Sequence, residues 1–368
     1  MAPAFDDFAR RRGEAMSEPE VLIERRGCAG SIVLNRPKAL NALNLGMVRA
    51  IAAALDDWER DEAVARIVVS GAGGRAFCAG GDIRLLYEQG RAGDQGAQLA
   101  FWREEYQLNR RIKRYSKPYV ALVDGIVMGG GVGVSAHGAW LVAGENFAFA
   151  MPEVGIGFFP DVGATYLLPR LPHRAGVYLA LTGARIGASD AVALGLAQAL
   201  APSARLGDLA AALEQRGSIE AILASFALPA PASPLLARSA AIEPCFAQAT
   251  PAKIIAALAE AAGAGLPLAK AAREAMLLKS PTSQAIALRQ MAMGGSLTFE
   301  QAMTTEFRIV SRICRGHDFY EGVRAVIIDK DNRPDWRPGA AEAVLPAAVD
   351  AYFAPLGEDD LLFEATDR

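Results

Sequence analysis

Two short apolar runs in this sequence each pass into a glycine-rich stretch and then into a helical pattern. The first run, residues 67–70, leads into 71–81, and the second, residues 119–123, leads into 125–131. Apolar runs of this length without polar alternation are typical of parallel strands that are covered on both faces. The repeated unit therefore predicts an α/β fold with buried strands.

The same kind of pattern extends over residues 19–200, which we predict to be one α/β core. Strands are favoured by short apolar runs between turn residues, and a helix by apolar residues at helical spacing. The predicted elements are strands at 21–25, 31–34, 67–70, 119–123, 141–143 and 147–150, a turn at 27–30, a helix at 45–61 and a small-residue helix starting near Val132.

Beyond residue 200, alanine-rich helical patterns replace the strands. Ser280 followed by Pro281 is typical of a helix start, because serine caps the first turn and proline fits its first position. Another helix is predicted at 298–315. We therefore predict that residues 201–368 form a helical region packed on the core. Residues 1–18 are predicted to be a disordered leader.

Composition excludes several classes of function. The formal net charge of -3 gives no electrostatic reason to bind nucleic acid or an acidic membrane surface. No apolar run reaches the roughly 20 residues of a membrane span. The four cysteines have no C-x-x-C spacing and the three histidines are far apart, so we expect reduced thiols and no metal site.

The glycine-rich turns offer backbone donors. Gly81 and Gly130 each lie between a strand and a helix, where N–H groups and the helix dipole favour negative charge. Two such turns facing each other could bind a developing oxyanion. Glycines needed only for tight packing or a positive φ remain an equal alternative. A phosphate-binding loop is less favoured, because its consensus spacings are absent.

Two acids follow prolines on either side of an apolar stretch. Glu153 and Asp161 sit where burial would raise the carboxyl pKa into the range useful for proton transfer. A helix cap or a structural ion pair is the alternative. Glu105 lies in a charge-rich helical pattern, and its residue type alone favours a solvated or capping role. His137 is predicted to be packed rather than catalytic.

In this order, these segments resemble the crotonase (enoyl-CoA hydratase/isomerase) superfamily, and most closely its 3-hydroxyisobutyryl-CoA hydrolase branch. The resemblance implies a crotonase-like spiral of ββα repeats with a helical C-terminal extension. The superfamily match rests on residues 34–37, 41–43, 76–83, 117–131 and 151–163. The branch match rests on 101–106, 128–133, 135, 137–138, 150–161, 280–283, 288–290, 315–319, 321–325, 329–331 and 336–338.

The resemblance also implies roles. Gly81 and Gly130 would form the oxyanion hole for a thioester carbonyl, Glu153 would be the principal acid/base, Asp161 the second acid of the hydrolase branch, and Glu105 a substrate contact. Residues implied along the coenzyme A nucleotide are Lys38, Ala39, Leu40, Ala79, Asp82 and Ile83.

One departure separates this chain from the hydratases, which carry a second catalytic glutamate just after the glycine run. Here that position is Gly133, which has no group to hold water or move a proton. We therefore expect hydrolysis of a short hydroxyacyl-CoA thioester, namely 3-hydroxyisobutyryl-CoA in valine breakdown. The alternatives are a hydratase or isomerase that uses Asp161 instead, and a non-catalytic acyl-CoA-binding protein. Whether Glu153 activates water or attacks directly stays open.

Cofactor, assembly and compartment follow from the same resemblance. No metal or redox cofactor is expected, because the thioester is already activated and coenzyme A arrives with the substrate. Trimers or hexamers are common in the superfamily, although the long C-terminal region could replace such contacts and leave fewer subunits. The expected location is the cytoplasm in a bacterium and the mitochondrion in a eukaryote.

Overall fold

The computed structural model describes residues 18–363. The predicted leader at residues 1–18 lies outside the described residues, apart from Glu18. Within them the chain forms two β-sheets surrounded by helices. The strands are β1 (Val21–Arg26), β2 (Ala29–Leu34), β3 (Arg66–Gly71), β4 (Ala76–Cys78), β5 (Tyr119–Val123), β6 (Ile126–Met128), β7 (Trp140–Ala143), β8 (Ala148–Ala150), β9 (Ile186–Gly187) and β10 (Ala199–Leu200).

Helices lie between the strands and make up most of the second half of the chain. They are α1 (Leu45–Arg60), α2 (Ile83–Arg91), α3 (Gln95–Lys113), α4 (Gly130–Gly133), α5 (Ala164–Leu167), α6 (Ala175–Thr182), α7 (Ala188–Ala193), α8 (Leu206–Leu213), α9 (Ile219–Phe226), α10 (Leu236–Ile242), α11 (Pro251–Gly263), α12 (Pro267–Leu277), α13 (Pro281–Gly294), α14 (Phe299–Ile313), α15 (His317–Val323) and α16 (Pro346–Phe353).

The larger sheet has the strand order β1-β2-β3-β5-β7-β10, in which β1 is antiparallel to β2 and the others are parallel. Both faces are buried. Ile67 and Val69 of β3 pack in the main core, which also contains apolar residues of α1, whereas Val68 packs on the opposite face. That second face is covered by α8 and α9. This two-sided burial explains the unbroken apolar runs and confirms the α/β prediction.

The smaller sheet has the order β4-β6-β8-β9, and β4, β6 and β8 are parallel. Two of its strands lie inside stretches that the sequence predicted to be loops. The prediction of continuous loops at 71–81 and 125–131 was therefore wrong, because Ala76–Cys78 and Ile126–Met128 are strands. Three residues between glycines are too few to show any periodicity.

Two boundaries near glycines also differ from prediction. The turn predicted at 27–30 ends earlier, because Ala29 and Gly30 already belong to β2. Gly30 lets the Trp58 ring pack against the strand, since a Cβ atom there would lie 2.3 Å from Cε3 of the indole. The helix expected near Val132 is the single turn α4.

The C-terminal region begins its helices as the sequence suggests. Ser280 accepts a hydrogen bond from the N–H of Ser283 at 3.1 Å, with Pro281 in the first position of α13. Thr298 and Gln301 cap α14 reciprocally. This region contributes to the main core, which runs from Val21 to Leu361. The boundary proposed at residue 200 stays a prediction.

Candidate active site

Three neighbouring parallel strands of the smaller sheet end at the same edge of that sheet, where the candidate site lies. β4 leads to Gly81, β6 leads to Gly130 and β8 leads to Glu153. Because β4, β6 and β8 are adjacent and parallel, these three segments leave the same edge of the sheet. Crevices at the carboxyl ends of parallel strands are the usual binding places of α/β proteins.

Gly81 and Gly130 lie side by side. The amide nitrogen of Gly81 is 3.4 Å from the position that a Cβ atom on Gly130 would take. Among residues 18–363, neither N–H donates a hydrogen bond to a protein acceptor. A Cβ on Gly130 would also lie 2.5 Å from Oε1 of Glu105, so glycine is needed at this close approach. The geometry thus presents two free donors next to a carboxyl group.

Glu153 follows β8 and is buried, with 7% of its surface exposed. Its Oε2 has no hydrogen-bond partner within the described chain. Burial raises the pKa of Glu153 well above its usual range, and the nearby Asp161 raises it further. A carboxyl group with a raised pKa holds a proton more tightly than a solvated one, which is the property that a proton-transfer group uses.

Asp161 lies between Glu153 and helix α5. Its Oδ2 accepts a hydrogen bond from the hydroxyl of Tyr106 at 2.8 Å. Burial raises the pKa of Asp161 to about 7, although the Tyr106 hydrogen bond acts in the opposite direction. Asp161 is therefore a second buried acid with a raised pKa near Glu153. Its role as the second acid of the hydrolase branch stays a prediction.

Glu105 is deeply buried on α3, with 1% of its surface exposed. The prediction of a solvated or capping role was wrong, because Glu105 lies on the buried face of α3 together with Trp102 and Tyr106. Oε1 of Glu105 has no partner among the described residues. Burial, Asp161 and Glu306 raise the pKa of Glu105. Its contact with substrate stays a prediction.

Glu306, on α14, is a fourth buried acid that the sequence reasoning missed. Its Oε2 accepts from the N–H of Gly163 at 2.8 Å and its Oε1 from the N–H of Thr165 at 2.9 Å. Burial and the nearby Asp161 raise the pKa of Glu306 to about 8, against the effect of these hydrogen bonds. One signal was available: Glu306 interrupts the apolar stripe of Met303, Phe307 and Val310.

At Gly133, where the hydratases carry a second glutamate, the structure places the amide of Asn109. A Cβ atom on Gly133 would lie 2.6 Å from Nδ2 of Asn109. Asn109 is fully buried, and neither polar atom of its side chain has a partner within residues 18–363. Position 133 therefore has neither a carboxylate nor space for one.

The residues implied along the coenzyme A nucleotide lie beside this site. Ala79 donates its N–H to the carbonyl of Leu40 at 3.0 Å, which joins the 38–40 segment to the 79–83 segment. Lys38 and Ala39 are exposed. Asp82 caps α2 and pairs with Arg36 at 3.0 Å. Their contacts with a nucleotide stay a prediction.

His137 is packed, as predicted. Its ring lies 4.7 Å from that of Phe299, and Nε2 donates to the carbonyl of Val162 at 2.7 Å. Burial lowers the pKa of His137 to about 4. In the described part of the chain, no group of His, Cys, Asp and Glu side chains is arranged to hold a metal ion.

Comparison with known proteins identifies the family of this chain. The family model described as enoyl-CoA hydratase/isomerase matches residues 29–353. The chain belongs to the enoyl-CoA hydratase/isomerase family. It therefore has the crotonase fold that the sequence predicted, with a helical C-terminal region. In residues 18–363, none of the helices has the length and apolar character needed to cross a bilayer.

Individual relatives within the family carry two kinds of name. The mitochondrial 3-hydroxyisobutyryl-CoA hydrolase of Xenopus tropicalis is 44% identical and covers 96% of this chain and 93% of the relative. The enzyme of the same name from Rattus norvegicus is 45% identical, and the match covers 94% of this chain and 91% of the relative. The crystal structure of a carnitinyl-CoA dehydratase from Mycobacterium thermoresistibile is 41% identical, with a TM-score of 0.89 over 94% of this chain and 99% of its own.

Proposed function

We propose that this chain hydrolyses a short hydroxyacyl-CoA thioester, 3-hydroxyisobutyryl-CoA, to 3-hydroxyisobutyrate and coenzyme A. One observation carries the proposal. Three carboxyl groups, those of Glu105, Glu153 and Asp161, gather beside two free glycine amides, while Gly133 offers none and is covered by Asn109. This site can polarise a thioester carbonyl and activate a water molecule. It lacks the second glutamate that hydratases carry at the position of Gly133.

The first step uses the backbone. The thioester carbonyl oxygen binds between the N–H groups of Gly81 and Gly130, and these donors stabilise the negative charge that develops on it. Such donors act without reorganisation, and loss of one costs roughly 10²–10³ in rate in comparable sites.

Proton transfer then falls to Glu153. Acting as a base, it takes a proton from water while the hydroxide adds to the thioester carbon; collapse of the oxyanion expels the coenzyme A thiolate, which recovers the proton. Acting as a nucleophile, it forms a mixed anhydride and releases the thiolate before water hydrolyses the anhydride. Asp161 orients the water or the substrate hydroxyl in both routes.

The substitution Glu153→Gln tests this assignment. We expect thiol release to fall below detection, because the amide can neither accept a proton nor attack, while acyl-CoA binding stays within about threefold of wild type. Thiol release and calorimetric titration measure the two quantities. The matched control is Glu104→Gln, which makes the same change at a carboxylate paired with Arg49. Near-normal hydrolysis by the Glu153 variant would sink the assignment.

A hydratase or isomerase is the second candidate, because the Mycobacterium thermoresistibile relative bears a dehydratase name. Incubation of the wild-type chain with 3-hydroxyisobutyryl-CoA and with crotonyl-CoA separates the two functions. The proposal expects free thiol from the first substrate and little loss of enoyl absorbance from the second. The reverse result favours the hydratase, and binding without turnover favours an acyl-CoA-binding protein.

The proposal extends to cofactor, assembly and compartment. It needs no metal or redox cofactor, since the thioester is itself activated. We also propose a homo-oligomer, a trimer or hexamer or fewer subunits, which light scattering on the purified chain measures. The two hydrolase relatives carry the word mitochondrial in their names. For this chain we propose the mitochondrion in a eukaryote and the cytoplasm in a bacterium.

A further inference from the structure

The segment that carries Asp161 is held by side chains that are distant in sequence. Gln290 of α13 donates to the carbonyl of Pro160 at 2.9 Å and to Oγ1 of Thr165 at 2.7 Å. His137 donates to the carbonyl of Val162 at 2.7 Å. Residues 160–165 are thus tied to the C-terminal helices on one side and to the α/β core on the other.

Glu306 attaches the same segment at two further points. It is fully buried, and both its oxygens accept backbone N–H groups, those of Gly163 and Thr165. Because both oxygens of one buried side chain accept from this segment, Glu306 ties two points of its backbone to α14. Its partners lie on both sides of Ala164, two residues or more beyond Asp161 in the chain.

The backbone of this segment shows why it needs support. Val162, directly after Asp161, has a φ of 53°. A β-branched residue adopts this left-handed region only when its surroundings impose it. Without the attachments, the segment would relax and turn the Asp161 carboxyl group to another position.

Helix capping alone does not account for Glu306. Helices α1, α2 and α3 are capped by the residue just before each, namely Asn44, Asp82 and Asp94. The one-turn helix α5 instead receives a buried carboxylate from α14, which lies 143 residues beyond Gly163 in the chain. A serine, asparagine or aspartate just before α5 would cap it without placing a fourth carboxyl group among three other buried acids.

We infer that Glu306, together with Gln290, is a positioning residue that fixes the Asp161 segment for catalysis. Glu306 acts through Asp161 and does not touch the substrate. The inference rests on the proposed function only for the role of Asp161, since the attachments themselves can be measured without a substrate.

Hydrogen exchange of the full chain, followed by mass spectrometry, tests the attachment. In Glu306→Gln, the amide can accept from only one of the two N–H groups, so exchange at Gly163 and Thr165 should be at least about tenfold faster than in wild type. Thr305→Val is the matched control, because Thr305 is the buried neighbour of Glu306 on α14 and its hydroxyl donates to the carbonyl of Gln301 within the same helix. Unchanged protection in Glu306→Gln would overturn the inference.

Kinetics test the link to Asp161. We expect kcat of Glu306→Gln to fall by about 10²-fold through misplacement of the acid, with KM nearly unchanged. In an Asp161→Asn background the same substitution should lower kcat by less than about twofold, because the group that it positions is already gone. Full additivity of the two effects would assign Glu306 a merely structural role and overturn the inference.

A second variant and one wild-type measurement separate this inference from a folding defect and from the proposed function. If Glu306→Gln does not fold, Glu306→Asp keeps a carboxyl group but is one methylene shorter, and it should show the same pattern of faster exchange and lower kcat in smaller measure. Wild-type protection at Gly163 and Thr165 in that variant would equally overturn the inference. Absence of thiol release by the wild-type chain, with the exchange result intact, would refute the proposed function and leave the attachment established.

Discussion

At the scale of single residues, four buried carboxyl groups share one small region. Asp161 raises the pKa of each of the others, Glu105, Glu153 and Glu306, in addition to the effect of burial. Like charges in a poorly solvated place cannot all ionise, so this group of acids holds protons that the same residues would lose in water. Proton storage of this kind serves a reaction that takes and returns a proton.

This proton storage has a cost in stability that depends on pH. A carboxyl group whose pKa is higher in the folded chain binds more protons when folded, so its contribution to stability falls as pH rises. For Asp161 the window runs from about 4, its unfolded pKa, to about 7 in the folded chain. Asp161→Asn removes this pH-dependent loss of stability, because the amide does not ionise, and it keeps an oxygen that accepts from the Tyr106 hydroxyl.

We therefore expect Asp161→Asn to stabilise the protein relative to wild type at pH 8, by on the order of a few kcal/mol, and much less at pH 5. Urea unfolding at both pH values gives the two free energies. Asp208→Asn, which changes an exposed carboxylate, should show no such trend. An equal effect of Asp161→Asn at the two pH values would contradict the prediction.

Sequence reasoning could identify some of these acids but not others. Glu153 and Asp161 follow prolines in an apolar stretch, and that local pattern points to burial. The sequence around Glu105 indicates a solvated helix instead, because Arg103 and Glu104 stand directly before it. The burial of Glu105 and Glu306 depends on which helix packs where, and this information is not local.

At the scale of elements, the site depends on strand ends and on how the next element begins. Gly81 lies directly before the N-cap of α2, where Asp82 accepts from the N–H of Leu85 at 3.3 Å and pairs with Arg36. The sequence predicts both glycine-rich turns, but not β4 and β6, because pairing with neighbouring strands rather than local periodicity defines three-residue strands. The cap should therefore fix both the helix and the glycine before it.

Asp82 allows this to be tested with a pair of variants. Asp82→Ala removes both the cap and the ion pair and should cost about 1 kcal/mol of unfolding free energy; Asp82→Asn keeps the cap and should cost only a few tenths. Chemical denaturation measures both values. An equal loss in the two variants would show that the ion pair with Arg36, and not the cap, supports α2.

At the scale of the whole molecule, the C-terminal helices and the α/β core share their interior. Trp102 of α3 stacks on Phe158 at 5.4 Å between ring centroids and meets Phe319 of α15 edge-on at 6.3 Å. The sequence predicts the helical region and the Ser280 cap of α13. It does not predict how these helices enter the site, because a contact such as that between Glu306 and Gly163 spans 143 positions.

This shared interior predicts that the described chain unfolds as one unit. Phe319→Ala deletes a fully buried ring and should cost about 3–5 kcal/mol. Calorimetry should show a single transition that moves to lower temperature without splitting. Leu345→Ala, at a residue 68% exposed, should leave the transition within about 0.5 kcal/mol of wild type. Two separate transitions in the wild-type chain would contradict a common core.

The contact between Asn109 and Gly133 imposes an order on mutations. A glutamate introduced at position 133 meets the Asn109 amide at once, so that single step disturbs packing before it can confer any new chemistry. Shortening Asn109 first opens the space while leaving Glu153 and Asp161 in place. In directed evolution of this chain toward hydratase activity, we therefore expect the substitution at position 109 to come before the one at 133. Libraries that vary only one of the two positions should yield no hydratase activity.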